Sequence, residues 1–185
     1  MNIRISEIIE TPDFQWLRIY KNGNSSIMQC IEEKYKKEDI NSTNMLSKNK
    51  VRWAVIRDPY ERFMSGLKYD LSRHKVNFED IDISKLFCPN EHHYINLTAG
   101  NINHTVSQFA SLMNTQIVNY VDIKDLDLFL KMHFGKSKRA HENKESIEIK
   151  IDKEEIMKYL TLDYYMYNTI KNSPFLWEWQ HGRIF

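Results

Sequence analysis

The chain has 185 residues, of which 42% are hydrophobic and 28% are charged, a composition that excludes a disordered or fibrous chain and suits one globular core. Its 26 basic and 25 acidic residues give a formal net charge of +1, which excludes the broadly basic surface of a nucleic-acid-binding domain. Any anion site must therefore be local. The length predicts a single domain over residues 1–185.

Cysteine usage and hydropathy indicate the compartment. Two cysteines, Cys30 and Cys88, are too few for a disulfide framework and offer no metal-binding spacing. Residues 1–14 carry acids where a signal peptide needs an apolar run, and no apolar stretch approaches the roughly 20 residues of a membrane span. We therefore expect a cytoplasmic protein with reduced thiols and with no membrane or nucleic-acid partner.

The first strand–loop–helix unit is predicted near the start of the chain. Residues 14–20 are aromatic and β-branched, which predicts a buried strand, and the turn-rich segment KNGNSS follows it. Apolar residues then recur at helical spacing as far as Tyr35. The polar stretch 36–50, rich in Asn and Lys, is typical of a surface loop.

The second unit begins with a strand predicted over residues 51–56. Asp58 then offers an N-cap, Pro59 suits the first helical position, and Glu61 completes a start similar to a capping box. Apolar side chains recur at helical spacing from there to Leu71, which predicts one buried face of a helix.

The rest of the chain continues the alternation of strands and helices. Helical spacing recurs over 106–113, 123–130 and 153–171, a strand is predicted over 116–121, and residues 147–151 alternate like an edge strand. This order predicts an α/β fold with a mainly parallel central sheet flanked by helices. In such sheets ligands bind at the carboxyl ends of the strands, so the two junctions of the first half are the candidate sites.

The first junction connects a strand to a helix through residues 21–26. Gly23 permits a tight backbone turn, Lys21 supplies a mobile positive charge, and the unpaired N–H groups of a helix N-terminus attract anions. The segment is not a Walker A loop, because its Lys precedes its Gly. An ordinary Asn-Gly turn before a Ser-capped helix is the alternative. The candidate anion-binding residues are Lys21, Asn22, Gly23, Asn24, Ser25 and Ser26.

The second junction places Arg57 at the end of a strand, just before a well-capped helix. A guanidinium binds phosphate through two parallel hydrogen bonds, and the hydroxyl of Ser65, eight residues further on, can add another. The alternative is that Arg57 forms a surface ion pair with Asp58 or Glu61.

Together the two junctions resemble the donor site of the sulfotransferases that use 3′-phosphoadenosine-5′-phosphosulfate (PAPS). In that superfamily a Lys-x-Gly-x-Thr/Ser-Ser loop binds the 5′-phosphosulfate, and KNGNSS from Lys21 to Ser26 matches it. A later Arg-Asp-Pro-Tyr-Glu-Arg-Phe-x-Ser segment binds the 3′-phosphate through its Arg and Ser, which correspond to Arg57 and Ser65. The segment VIRDPYERFMSGL is particularly similar to the corresponding segment of the carbohydrate (Golgi-type) branch.

The resemblance implies a P-loop-like three-layer sandwich and PAPS as co-substrate, without a metal. The enzyme would transfer the sulfuryl group to a hydroxyl or amine of a small-molecule or glycan acceptor. Lys21 would neutralise charge on the leaving phosphate, while the 21–26 loop holds the 5′-phosphosulfate. Because the chain is short beside typical members, the sequence does not identify the acceptor, nor does it indicate an oligomeric state.

A general base must take the proton of the acceptor, and His104 is the first candidate because His104-x-x-x-Gln108 is similar to a segment of the carbohydrate enzymes. Two other histidines and two glutamates remain alternative candidates for the general base. They are His92 and His93, in a loop-like stretch, and Glu32 and Glu33, on the helix after the phosphosulfate loop.

The roles of two further segments also remain open. The basic residues Lys136, Lys138 and Arg139 either close over the nucleotide or are only solvated, and the aromatic tail with Trp177, Trp179 and Phe185 either packs on the core or forms an interface.

A non-catalytic PAP-binding module, where PAP is the desulfated donor, is the first alternative function. A P-loop-like kinase or nucleotide hydrolase is the second, and the lack of a Walker A loop argues against it.

Overall fold

Five strands form one mixed sheet in the computed structural model, which describes residues 7–75, 77–80, 104–105, 107–112, 119–136 and 148–177. They are β1 (Glu7–Glu10), β2 (Phe14–Arg18), β3 (Asn41–Thr43), β4 (Val51–Ile56) and β5 (Asn119–Asp122), in the spatial order β3-β1-β2-β4-β5. The pairings β2–β4 and β4–β5 are parallel, whereas β1 is antiparallel to both β2 and β3. The α/β class is confirmed, and the expected mainly parallel sheet is not.

The strands that carry the two candidate junctions match their predictions closely. β4 has the predicted bounds, and β2 ends two residues early. β5 includes the described part of the strand predicted over 116–121 and extends one residue further, to Asp122. Two strands have no counterpart in the predictions. β1 lies in an acidic segment. β3 lies within the 36–50 stretch that was expected to be a loop. Its residues are polar and carry no strand pattern, and they join the sheet by pairing with β1.

Helices pack on both faces of this sheet. α1 (Asn24–Lys34) and α4 (Leu126–Phe134) cover one face, where Trp16 and Trp53 stack at a centroid distance of 5.9 Å. α3 (Gln108–Leu112) and α6 (Thr161–Lys171) cover the other face, against Ala54 and Ile56. Alternate side chains of β4 therefore point into two different hydrophobic layers, as the pleat of a strand requires.

α2 (Pro59–His74) and α5 (Lys153–Tyr159) pack together beside the sheet, with short 3₁₀ turns at Lys37–Asp39 and Phe78–Asp80. The predicted start of α2 is confirmed, because the Asp58 carboxylate accepts a hydrogen bond from the Glu61 N–H at 3.0 Å. The single helix predicted over 153–171 is instead two helices that meet at the buried Leu160.

The edge strand expected over 147–151 is wrong for the part that the structure describes. Residues 148–152 have no regular structure. Ile149 and Ile151 instead pack on the cluster formed by α2 and α5, so their alternation reflects burial against helices and not pairing in a sheet.

Asp122 connects the end of β5 to α6. Its fully buried carboxylate accepts hydrogen bonds from Tyr167 Oη at 3.0 Å, Lys171 Nζ at 2.9 Å and the Lys124 N–H at 3.0 Å. Burial alone would raise the pKa of Asp122, but these hydrogen bonds and the charge of Lys171 outweigh it, and the pKa lies below its ordinary value.

We expect Lys171→Met to lower the free energy of unfolding at pH 7 by about 1–2 kcal/mol, because a buried carboxylate loses a charged donor that is itself partly exposed. An acid with a lowered pKa in the folded state stabilises the fold above its unfolded pKa, and that stability is lost as the pH falls through the folded value. The variant should therefore lose less stability than the wild type between pH 7 and pH 3.

Urea unfolding at the two pH values measures both effects. Lys158→Met, which removes an exposed cation at the end of α5, is the matched control and should change the free energy of unfolding by less than about 0.5 kcal/mol. Equal losses in the two variants at pH 7 would contradict the assigned role of Lys171.

Candidate functional site

The loop between β2 and α1 has an unusual backbone. Gly23 is the N-cap of α1 with φ 79° and ψ 19°, and Lys21 also has a positive φ of 66°. The left-handed conformation suits glycine but costs a residue with a Cβ roughly 1–2 kcal/mol. Among the described residues, the other residue with a Cβ in this conformation is Lys75, which ends α2, so the strain at Lys21 is compatible with a functional loop without identifying one.

The side chains of the loop fall into two groups. Asn22 is buried, and its amide Nδ2 donates to the Val55 carbonyl at 2.6 Å and to Gln108 Oε1 at 3.3 Å. It therefore connects the loop to β4 and α3. Gly23, Asn24 and Ser26 are half-buried and Ser25 is exposed at the start of α1.

Arg57 lies against this loop. Its Nη1 donates to the Lys21 carbonyl at 3.3 Å, across 36 residues of sequence. The ion pair considered from the sequence is also present but loose, with 3.8 Å between Arg57 Nε and the half-exposed Glu61 carboxylate. Within the described part of the chain, the buried Nε has no hydrogen-bond partner.

Gln108 holds the backbone of Arg57 in place. Its Nε2 donates to the Arg57 carbonyl at 2.7 Å, and its Oε1 accepts from the Arg57 N–H at 3.4 Å. Because the same Oε1 also accepts from Asn22, the Gln108 amide joins both junctions. The sequence singled out Gln108 only as part of the His104-x-x-x-Gln108 segment and assigned it no contact.

One ridge of α2 faces the Lys21 loop. Glu61, Ser65 and Tyr69 follow one another at intervals of four residues and so lie on one side of α2, while Arg57 lies just before the helix. Lys21 is contacted from both ends of this stretch, by the guanidinium of Arg57 and by the Tyr69 ring, whose centroid is 3.7 Å from Lys21 Nζ. The half-buried Ser65 lies between Glu61 and Tyr69 on that side of the helix, and its predicted role stays a prediction.

His104 reaches this site from a distant part of the sequence. Its ring packs edge-on against Tyr69 at 4.5 Å and against Tyr20 at 5.1 Å between centroids. Tyr69 thus contacts both Lys21 and His104. The imidazole Nδ1 lies 2.5 Å from the Asp70 carboxylate, while Nε2 has no hydrogen bond to any described residue. A histidine oriented by a carboxylate is a common arrangement for a general base.

The other candidate bases are placed differently. Glu32 and Glu33 are exposed on α1, about 14 and 15 Å along the helix axis from Gly23 at 1.5 Å per residue. Glu33 also pairs with Lys136 at 3.7 Å, which places that lysine beside α1. His92 and His93 lie outside the described residues.

The remaining predicted segments are covered only in part. Trp177 is buried and packs edge-on against Phe129 at 5.4 Å, so this tail residue belongs to the core. Lys138, Arg139, Trp179 and Phe185 lie outside the described residues.

Two side chains that complete the site were not predicted, namely Tyr69 and Asp70. Their signal was the four-residue spacing that Tyr69 continues from Arg57, Glu61 and Ser65. The neighbouring spacing of Arg62, Gly66 and Asp70 carries a second row of contacts, to His104 and Thr105.

Comparisons with other proteins give no family for the chain. No family model, no curated protein and no solved structure matches it. Within the described ranges no three His, Cys, Asp or Glu side chains are grouped so as to hold a metal ion, and no helix is long and apolar enough to cross a membrane.

We expect Gly23→Ala to cost more stability than Gly135→Ala, although both glycines have a positive φ, of 79° and 74°. A Cβ at Gly23 would lie 2.3 Å from the Leu126 side chain, whereas a Cβ at Gly135 meets nothing within 4 Å. The control should lose about 1 kcal/mol from backbone strain alone, and Gly23→Ala about 2 kcal/mol, because the terminal methyl group of Leu126 must also move aside. Thermal and urea unfolding measure the difference, and equal losses would contradict the close packing of this loop on α4.

Proposed function

We propose that the protein is a sulfotransferase that moves the sulfuryl group of PAPS to a hydroxyl or amine of a carbohydrate-like acceptor. The observation that carries the proposal is the hydrogen bond of Arg57 Nη1 to the Lys21 carbonyl, at 3.3 Å. It brings together, at the carboxyl ends of β2 and β4, the two segments that resemble the two halves of a PAPS site. A parallel β2–β4–β5 unit with helices on both faces agrees with a P-loop-like sandwich.

The residues at the junction suit an anionic donor. Arg57 is only 22% exposed, and its buried Nε has no hydrogen-bond partner among the described residues beyond the loose ion pair with Glu61, so a phosphate oxygen could accept from it. Ser65, in the second turn of α2, supplies a hydroxyl for the 3′-phosphate. Lys21 and the N-terminus of α1 supply the positive potential for the 5′-phosphosulfate.

His104 and Lys21 divide the work of the transfer. The acceptor oxygen forms a bond to sulfur as the bond between sulfur and the bridging phosphate oxygen breaks, and the electron pair leaves with PAP. His104 Nε2 takes the proton of the acceptor hydroxyl, and the Lys21 ammonium stabilises the charge that develops on the leaving phosphate. The product is a sulfate ester or, from an amine, a sulfamate.

We expect PAP to raise the melting temperature of the protein by mass action, and 5′-AMP, which lacks the 3′-phosphate, to do so much less. Arg57→Gln should weaken PAP binding by about 10–100-fold, the value of one or two charge-assisted hydrogen bonds, and should leave AMP binding unchanged. Calorimetric titration of both nucleotides measures this selectivity.

Lys131→Gln, which removes an exposed cation near the end of α4, is the matched control and should bind PAP like the wild type. If saturating PAP produces neither a shift in melting temperature nor heat in the titration, the proposed donor is wrong. PAP binding without transfer to any acceptor in a broad panel of glycans, phenols and amines would favour the non-catalytic module.

We expect Lys21→Met to reduce the turnover number by about 100-fold or more while PAP affinity falls by less than 10-fold, because its charge is needed most when the phosphate leaves. Transfer from radiolabelled PAPS under saturating donor measures the first quantity and calorimetry the second. A variant that loses affinity and turnover in equal proportion would show that Lys21 only binds the donor.

A further inference from the structure

A second ridge of α2 contacts the segment that carries His104. This Arg62–Asp70 ridge consists of Arg62, Gly66 and Asp70, again four residues apart. The Arg62 guanidinium is 1% exposed and donates from Nη1 to the His104 carbonyl and from Nη2 to the Thr105 carbonyl, both at 3.2 Å. One planar group therefore holds two successive carbonyls, which fixes the plane and direction of that backbone.

Gly66 brings the two backbones together in the middle of the ridge. A Cβ on this residue would lie 2.3 Å from the His104 carbonyl oxygen and 3.2 Å from the Thr105 nitrogen. Only glycine permits this approach, so successive turns of α2 each provide one contact to the same dipeptide. The requirement for glycine is steric here, because Gly66 does not have a positive φ.

Asp70 is the last residue of the ridge, and both of its carboxylate oxygens contact His104. Oδ2 accepts the His104 backbone N–H at 3.1 Å, and Oδ1 lies 2.5 Å from the ring Nδ1. An ionised carboxylate only accepts, so Nδ1 must carry the ring proton. The neutral ring is then the tautomer whose Nε2 has a free lone pair.

Among the described residues, the other polar and charged groups around the imidazole do not compete for Nδ1. Arg62 is engaged with backbone carbonyls, and Lys21 lies on the Tyr69 ring. Tyr20 and Tyr69 contact the imidazole as ring faces and edges. Asp70 is therefore the one described carboxylate that contacts the His104 ring.

We infer that Asp70 is a positioning residue: it holds His104 in the Nδ1–H tautomer and directs Nε2 at the acceptor, on a backbone held by Arg62 and Gly66. This inference rests on the proposed function only in taking the group that faces Nε2 to be an acceptor substrate. The tautomer and its dependence on Asp70 are properties of the protein alone and can be measured without any substrate.

Long-range proton–nitrogen NMR of the ¹⁵N-labelled full chain, at a pH where the imidazole rings are neutral, shows which ring nitrogen carries the proton. The His104→Gln variant identifies the His104 signals. The expected result is that Nδ1 of His104 carries the proton, with slow solvent exchange. A ring protonated at Nε2, or an even mixture of tautomers, overturns the inference without any variant being needed.

Asp70→Asn tests the cause. An asparagine has one acceptor for the two donors of His104, and the backbone N–H cannot change its role whereas the ring can. The amide Nδ2 should then donate to ring Nδ1, so the tautomer should change to Nε2–H. Asp39→Asn, at an exposed position in the first 3₁₀ turn, is the matched control and should leave the His104 signals unchanged.

Activity separates this inference from the proposed function. With sulfuryl transfer established, Asp70→Asn should lower kcat by about 10²–10⁴-fold while the KM for PAPS and the affinity for PAP stay near wild type. Unchanged kcat overturns the role of Asp70 and leaves the sulfotransferase proposal standing. An Nδ1–H tautomer that changes in Asp70→Asn, in a protein that transfers no sulfuryl group, supports the tautomer assignment and rejects the proposed function.

Discussion

Helix α2 is the element on which the candidate site depends. Its 16 residues begin at an Asp58 cap, and two adjacent ridges of its surface contact two segments that are far apart in sequence. Tyr69, together with Arg57 just before the helix, contacts the Lys21 loop, and the Arg62–Asp70 ridge contacts the His104 segment. Because the relative positions of residues on a helix are fixed by its backbone hydrogen bonds, α2 relates the position of the Lys21 loop to that of His104.

The sequence predicted those parts of the site whose signals are local. The Asp58–Pro59 start of α2 and the strand at 51–56 are specified by neighbouring residues, and both are confirmed. The pairing of β1 with β3, and the contacts of Arg62 and Asp70 with a segment 34 to 43 residues away, have no local signal. Propensity and periodicity indicate that a face is buried, but they do not indicate against what.

A chain of polar contacts extends from α6 to the site. The buried Asp163 carboxylate accepts from the backbone N–H groups of Gln108 at 2.8 Å and of Phe109 at 3.1 Å, and so satisfies donors at the start of the five-residue α3. The Gln108 side chain then pairs with the backbone of Arg57 and accepts from Asn22. So short a helix is marginal by itself, and these bonds explain how it can position an amide between the two junctions.

The buried Arg62 shows what this architecture costs and what it gains. Burial, opposed by the charge of Asp163 and reinforced by that of Arg57, lowers the pKa of Arg62 to about 10, so the guanidinium is still charged at neutral pH and must be compensated inside the protein. An apolar residue of similar volume would often be at least as favourable for stability at such a position. No apolar side chain, however, can hold two successive carbonyls in a fixed plane. Catalytic groups must be held to within about 0.5 Å, so a buried cation beside a candidate base is better explained by the positioning of His104 than by stability.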